Sequence, residues 1–123
     1  MPGHRINFSM EERQFLDGTM DVTRRLGWTN LRVGQVLVGV VRKDERQVAR
    51  VPIIVVSVRR EPLNAIRVED CIREGCPEMT PEEFVESFCS TYRCGPETAV
   101  TRIEFRRVGP NPKVLGRSGN IET

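Results

Sequence analysis

Lysine and histidine are almost missing from this 123-residue chain, whose only lysines are Lys43 and Lys113 and whose only histidine is His4. His4 lies beside the N-terminus, so chemistry built on a rigidly held imidazole is excluded. Lys43 falls at an expected hairpin tip and Lys113 in an expected tail, and neither is a pre-organised position for a catalytic amine. Charge of one sign is lacking too: 19 basic residues against 17 acidic ones leave a net +2. That excludes coating a nucleic acid by charge alone, so any phosphate contact has to be local. No run approaches the roughly twenty apolar residues of a membrane span. The opening residues Met1 to Met10 lack the apolar stretch and small-residue cleavage site of a secretory signal, and a cytoplasmic location is expected.

What is present fits one ordinary globular domain, with 38% hydrophobic and 29% charged residues and enough length to bury a core without staples. The basic residues are nearly all arginine, whose planar fork suits bidentate contacts to phosphates or bases. Four cysteines form two equally spaced pairs, Cys71 with Cys76 and Cys89 with Cys94. Four intervening residues are at the long edge of zinc-ligand spacing, and no Gly-rich knuckle accompanies them. Buried inert thiols are preferred to a metal site or a disulfide. No metal and no cofactor is expected.

Along the chain, Ser9 and Glu12 form a capping-box pattern ahead of Phe15 and Leu16, predicting a helix from Met10 to Asp17 that stops at Gly18. Residues 19–28 read as a shaped, partly exposed loop, too polar for a core strand. Val36 to Val41 has the length and β-branching of a strand. A hairpin tip at Lys43 to Arg46 returns it to a second strand, about Val48 to Val58, whose run Ile53-Ile54-Val55-Val56 predicts burial on both faces. A short helix is expected near Val68 to Glu74, ended by Gly75. Thr80-Pro81-Glu82-Glu83 places an N-cap, a first-turn proline and a capping-box glutamate before a helix from Pro81 to about Tyr92. Val100 to Arg107 alternates as a last strand. The order is strand, helix, loop, strand hairpin, helix, helix, strand, an α+β or small-barrel pattern. Residues 1–108 form the expected domain and 109–123 a flexible C-terminal tail.

Three segments together resemble the ASCH family. The first is Phe15-Leu16-Asp17-Gly18-Thr19-Met20-Asp21-Val22-Thr23-Arg24-Arg25, similar to the family's helix, glycine, lysine, threonine and arginine motif. The second is Leu31 to Leu37, similar to the segment that leads into the barrel. The third is Ile66 to Gly75 with Val100 to Phe105, similar to the acidic-glycine turn and closing strand. The resemblance implies an α+β fold, a small PUA-like mixed β-barrel flanked by helices. It also implies RNA or a modified nucleoside as partner, with no membrane; monomer and homodimer stay open. It is nearest to the branch that removes an acetyl group from acetylcytidine. There the motif carries a lysine, a threonine and a glutamate. Thr23 and Glu74 match the last two as the implied catalytic pair, while Met20 stands where the lysine belongs.

A thioether neither carries a proton nor attacks an amide, so Met20 removes the amine's role. The primary expectation is therefore binding of RNA or a nucleoside in a cleft between the Gly18–Arg25 loop and the Glu74 turn, lined by Thr23, Arg24, Arg25 and Trp28. The alternative is a hydrolase, either an acetylcytidine amidohydrolase or a ribonuclease, that works without the lysine. Plainer roles stand beside these. Thr23 would merely shape a turn, and Glu74 would be a helix-end charge. Trp28 would anchor the core rather than stack on a base. Arg24 and Arg25 point to opposite sides if extended, so one of them faces the pocket. Arg59, Arg60, Arg106 and Arg107 read as solvated strand ends or phosphate contacts. An interaction module with a vestigial pocket is the third possibility.

Overall fold

The computed structural model describes residues 4–109 and the backbone of residues 113–114. Strands are β1 (Arg5–Asn7), β2 (Val22–Arg25), β3 (Val36–Lys43), β4 (Arg46–Pro62), β5 (Ala99–Arg107) and β6 (Lys113–Val114); helices are α1 (Glu12–Leu16), α2 (Val68–Arg73) and α3 (Pro81–Tyr92). The sheet order is β1-β3-β4-β5-β2, with β6 beside β4, and among the described residues only the β1–β3 pairing is parallel. The tail expected from residue 109 lies, apart from Gly109 and the β6 backbone, outside the described residues. No helix among them is long and apolar enough to cross a membrane.

The β3–β4 hairpin is the local nucleus of the sheet. Asp44 and Glu45 form its two-residue tip, both with positive φ (51° and 64°), matching the handed turn that a twisted hairpin needs. Strand β4 then serves two long neighbours besides the short β6. Its first half pairs with β3 and its second with β5, the register shifting between Val55 and Ser57. Such a bulge bends a strand and increases its twist, and the sheet curls. At the far side Arg25 of β2 donates through Nη1 to the carbonyl oxygen of Asn7 in β1, 2.8 Å away. A side chain thus spans the seam where no ladder is formed.

The expected burial of Ile53 to Val56 on both faces is corrected. Ile53 and Val55 are buried while Val56 is exposed, because helices cover only part of the sheet's outer face. The barrel interior holds Ile6, Phe8, Phe15, Met20, Leu37, Val51, Ile53, Val55, Ile103 and Phe105. Phe8 and Phe15 stack with ring centroids 3.9 Å apart. Gly39 makes that stack possible, since a Cβ there would sit 2.5 Å from the Phe15 ring. A smaller cluster of Leu63, Phe88 and Val100 fixes α3 against the outside of the sheet.

The capping box expected at Ser9 does not form. Ser9 to Glu11 make a 3-10 turn without a side-chain cap, and the Ser9 hydroxyl accepts from the Arg42 N–H at 2.8 Å. The register shift between Val41 and Arg42 frees that N–H, giving the hydroxyl a partner outside its own helix. At the other end of α1, Arg107 donates to the carbonyl oxygens of Phe15 and Leu16. Two of the arginines expected to be solvated are thus used internally: Arg107 here, and Arg60, which donates to the Thr101 hydroxyl at 2.7 Å. The α3 capping box is formed as the sequence predicts, with the Glu83 N–H on Thr80 Oγ1 and the Thr80 N–H on Glu83 Oε1 at 3.1 and 3.0 Å.

Candidate functional site

Residues 22–25, expected as part of a loop, form a buried strand paired with β5. Directly opposed residues of an antiparallel pair share a face. Thr23 lies opposite Ile103, a core residue, and so points into the barrel; Arg24 lies opposite Arg102 on the outer face, beneath α2. The polar character that argues against a core strand is accommodated by ion pairing across long sequence distances.

Arg24 is the centre of that pairing. Its side chain is fully enclosed, and it reaches Glu61 Oε2 at 2.8 Å, Asp70 Oδ2 at 3.0 Å and Glu74 Oε2 at 3.2 Å. Asp70 has a second partner in Arg102 at 3.1 Å, and Glu61 one in Arg59 at 2.8 Å. Burial opposes the charge on both carboxylates, but two guanidiniums each outweigh it and hold Asp70 and Glu61 below their ordinary range. Among the described residues the Glu74 carboxylate has Arg24 as its one hydrogen-bonded, ion-paired partner. With one cation and almost complete enclosure, burial wins, and its carboxyl is pushed up to about 8. A group in that state is mostly a neutral acid at pH 7, able both to donate and to accept.

Glu74 and Arg24 close one end of a cavity of about 170 Å³ that also meets Glu11, Phe84, Phe88 and Tyr92. Its walls come from the turn before α1, the end of α2 and one face of α3. Burial raises Glu11 as well, against Arg25 at 3.7 Å. Arg24 Nε and Arg25 Nη2 are buried without a hydrogen-bond partner, an uncommon arrangement for enclosed N–H groups. Cys76 also borders the cavity, but burial pushes its thiol up to about 11, which makes it a poor nucleophile.

Gly75 permits this geometry. Its φ of +82° favours glycine, and a Cβ there would stand 2.5 Å from Gln14 Cβ, so α1 and the end of α2 can approach only across a residue without a side chain. The acidic-glycine turn is therefore a packing device as well as the carrier of Glu74.

The structure brings together Arg24 and Glu74, with Arg25 close by through Glu11. It sets Thr23 apart. The Thr23 hydroxyl is buried and accepts from Arg25 Nε at 3.0 Å, holding that guanidinium in place. Met20 is 3% exposed and belongs to the core, where an apolar side chain fills space. Gly18 and Met20 border a different hollow, of about 480 Å³, together with Phe105 and Arg107. Trp28 packs against the edge of the core and lines a shallow surface near His4 and Leu31. The single cleft expected from the sequence is thus divided, and Glu74 opens into the part beneath α3. Glu61, Asp70, Arg102 and Glu11 were not singled out from the sequence. Asp70 had one readable signal, its place three residues after Arg67, where its carboxylate accepts from the Arg67 N–H at 3.2 Å; nothing local marks the others. Among the described residues no cluster of three metal-ligating side chains occurs.

A curled mixed sheet with helices packed outside one edge is the architecture of PUA-like domains. Within that class the chain has the fold of ASCH domains. The sequence matches no family model and no curated protein. Solved structures do match. An ASCH domain from Lactobacillus crispatus aligns over 76% of this chain and 67% of its own, with 16% identity and a TM-score of 0.60. A DUF984 protein from Enterococcus faecalis aligns over 88% of this chain and 77% of its own, with 17% identity and a TM-score of 0.57. The hypothetical protein PH0355 aligns over 88% of this chain and 100% of its own, with 14% identity and a TM-score of 0.61. At these identities the likeness establishes the fold.

Proposed function

We propose that this domain binds RNA or a modified nucleoside by taking one unpaired base into the cavity beneath α3. The observation that carries the reading is Glu74, a fully buried carboxyl pushed up to about 8 and facing that cavity beside Arg24. A neutral carboxylic acid presents one donor and one acceptor side by side, which complements the hydrogen-bonding edge of a pyrimidine. The space of about 170 Å³ suits a single ring rather than a duplex. Phe84, Phe88 and Tyr92 supply aromatic surface for stacking. Arg25, held by Thr23, lies behind Glu11, which borders the cavity, and steadies that wall. Trp28, away from this cavity, fits a core-edge role. Titration with cytidine, acetylcytidine and short single-stranded RNA at two salt concentrations tests the reading, with Glu74→Ala as the control. Saturable binding weakened by the substitution is expected, and absence of binding to all three ligands removes the proposal.

A second reading is a hydrolase acting on acetylcytidine or RNA. It is favoured by the same group, because an acid titrating near neutral pH is tuned for general acid–base work. Met20 stands at the motif's lysine position but lies in the core beside a different hollow, and Thr23 serves Arg25 rather than the cavity. Product formation by wild type, Thr23→Ala and Glu74→Ala decides between the readings. Equal turnover from all three dismisses these residues as catalysts. A gain of turnover in Met20→Lys would mean that only the lysine is missing.

A further inference from the structure

The two cysteine pairs have the same spacing but different surroundings. Each second cysteine donates its backbone N–H to the carbonyl oxygen of the first, Cys76 to Cys71 at 2.9 Å and Cys94 to Cys89 at 3.2 Å. Both pairs therefore close the end of a helix by the six-residue reversal that follows a left-handed residue. For Cys89 and Cys94 that residue is Arg93, at φ 55° and ψ 54°.

The side chains then part company. Cys71 is buried, and Cys76 Sγ turns toward Gln14 Nε2 at 3.7 Å and the Glu74 carbonyl at 3.8 Å. Cys89 and Cys94 instead neighbour each other across that reversal, where burial first and then the adjacent Cys94 side chain raise the Cys89 thiol. Both are half-buried against the Leu63, Phe88 and Val100 cluster, and Cys89 also borders an open hollow of about 510 Å³. A small reagent thus has a route to Cys89, whereas Cys71 has none.

We infer that Cys89 and Cys94 form a dithiol modification site that closes to an intramolecular disulfide by exchange with a low-molecular-weight disulfide. The thiolate of one cysteine attacks a reagent sulfur, giving a mixed disulfide and releasing one thiol. The second cysteine loses its proton and attacks the protein-side sulfur, forming the Cys89–Cys94 bond and releasing the second thiol. Two protein thiols are oxidised and one reagent disulfide is reduced to two thiols. Backbone closure holds the second thiol beside the first, so the intramolecular step outruns a second reagent molecule. The product pins the last turn of α3, the turn that carries Phe88 and Tyr92 to the Glu74 cavity. The inference stands independently of what that cavity binds.

The test is oxidised glutathione added to the reduced, folded full chain, followed by trypsin without reduction and mass analysis. Cleavage after Arg93 separates Cys89 from Cys94, so the peptides 74–93 and 94–102 remain joined only by a disulfide. The joined pair is expected as the main product, persisting in Cys76→Ser and lost in Cys89→Ser, with Cys71 still reduced. A circular-dichroism spectrum matching wild type shows that each variant is folded. Glutathione left on Cys89 or Cys94, a link through Cys71 or Cys76, or an unreacted native chain would each overturn the inference.

Discussion

Replacing Glu74 with glutamine removes the proton that burial holds on this residue, and the consequence is a change in how stability depends on pH. In the fold the carboxyl titrates near 8, against an ordinary value of 4.5. Between those values the native chain keeps a proton that the unfolded chain has released. The associated stability is complete below about pH 4.5 and is lost as the pH rises toward 8. The slope is about 1.4 kcal/mol per pH unit, so about 2.7 kcal/mol disappears between about pH 5.5 and about pH 7.5. Glu74 is 4% exposed, so water screens little of this. Asp70, Glu61 and Glu104 are held low, and their stabilising contributions change only below the ordinary carboxylate range. Glu11 is raised and leans the same way as Glu74, but it is present in both proteins. Urea unfolding of wild type and Glu74→Gln at several pH values in this window isolates the difference. Wild type should lose stability with rising pH, and the variant should be flatter by about 1.4 kcal/mol per unit. Parallel pH profiles would refute the claim that burial dominates Arg24 at this carboxyl.

Arg24→Met should destabilise by about 3–5 kcal/mol, because it takes from the largely buried Glu61 and Asp70 carboxylates the cation they share; chemical denaturation measures it, and a loss under about 1 kcal/mol would show that the cluster is solvated. Gly75→Ala should cost about 1–3 kcal/mol through its positive φ and the clash with Gln14, read as a lowered melting temperature. Thr80→Ala removes the α3 cap and should cost about 1 kcal/mol, with helix content by circular dichroism falling first on heating.

Elements with local chemistry were legible in the sequence. Thr80-Pro81-Glu82-Glu83 places α3, Gly75 ends α2, and the hairpin tip after Val36 to Val41 is found where turn residues interrupt β-branched ones. Strand β2 was not, because Arg24 looks exposed until Glu61, Asp70 and Glu74, all more than thirty positions later, are known to surround it. The Ser9 hydroxyl was misread for the same reason, its partner being Arg42 across the sheet. At the site, the resemblance pointed to Glu74 and the adjoining arginines, of which Arg24 meets Glu74 at one cavity while Arg25 stays on the Thr23 side of the strand. It did not separate Thr23 from that cavity, since a one-residue alternation along β2 sends neighbours to opposite faces.

The divided allegiance of β4 also gives its two halves different loop-closure costs. Its N-terminal half can zip onto β3 across a two-residue turn, at little loop-closure cost. Its C-terminal half must wait for β5, which begins at Ala99 beyond both outer helices. Pairing β5 onto that hairpin therefore closes a much longer loop and carries the larger entropic cost. Until β5 arrives, β2 has no strand to pair with and Arg24 has nowhere dry to sit. The charge cluster thus depends on pairings between the most distant parts of the chain, and anything that loosens β5 exposes it.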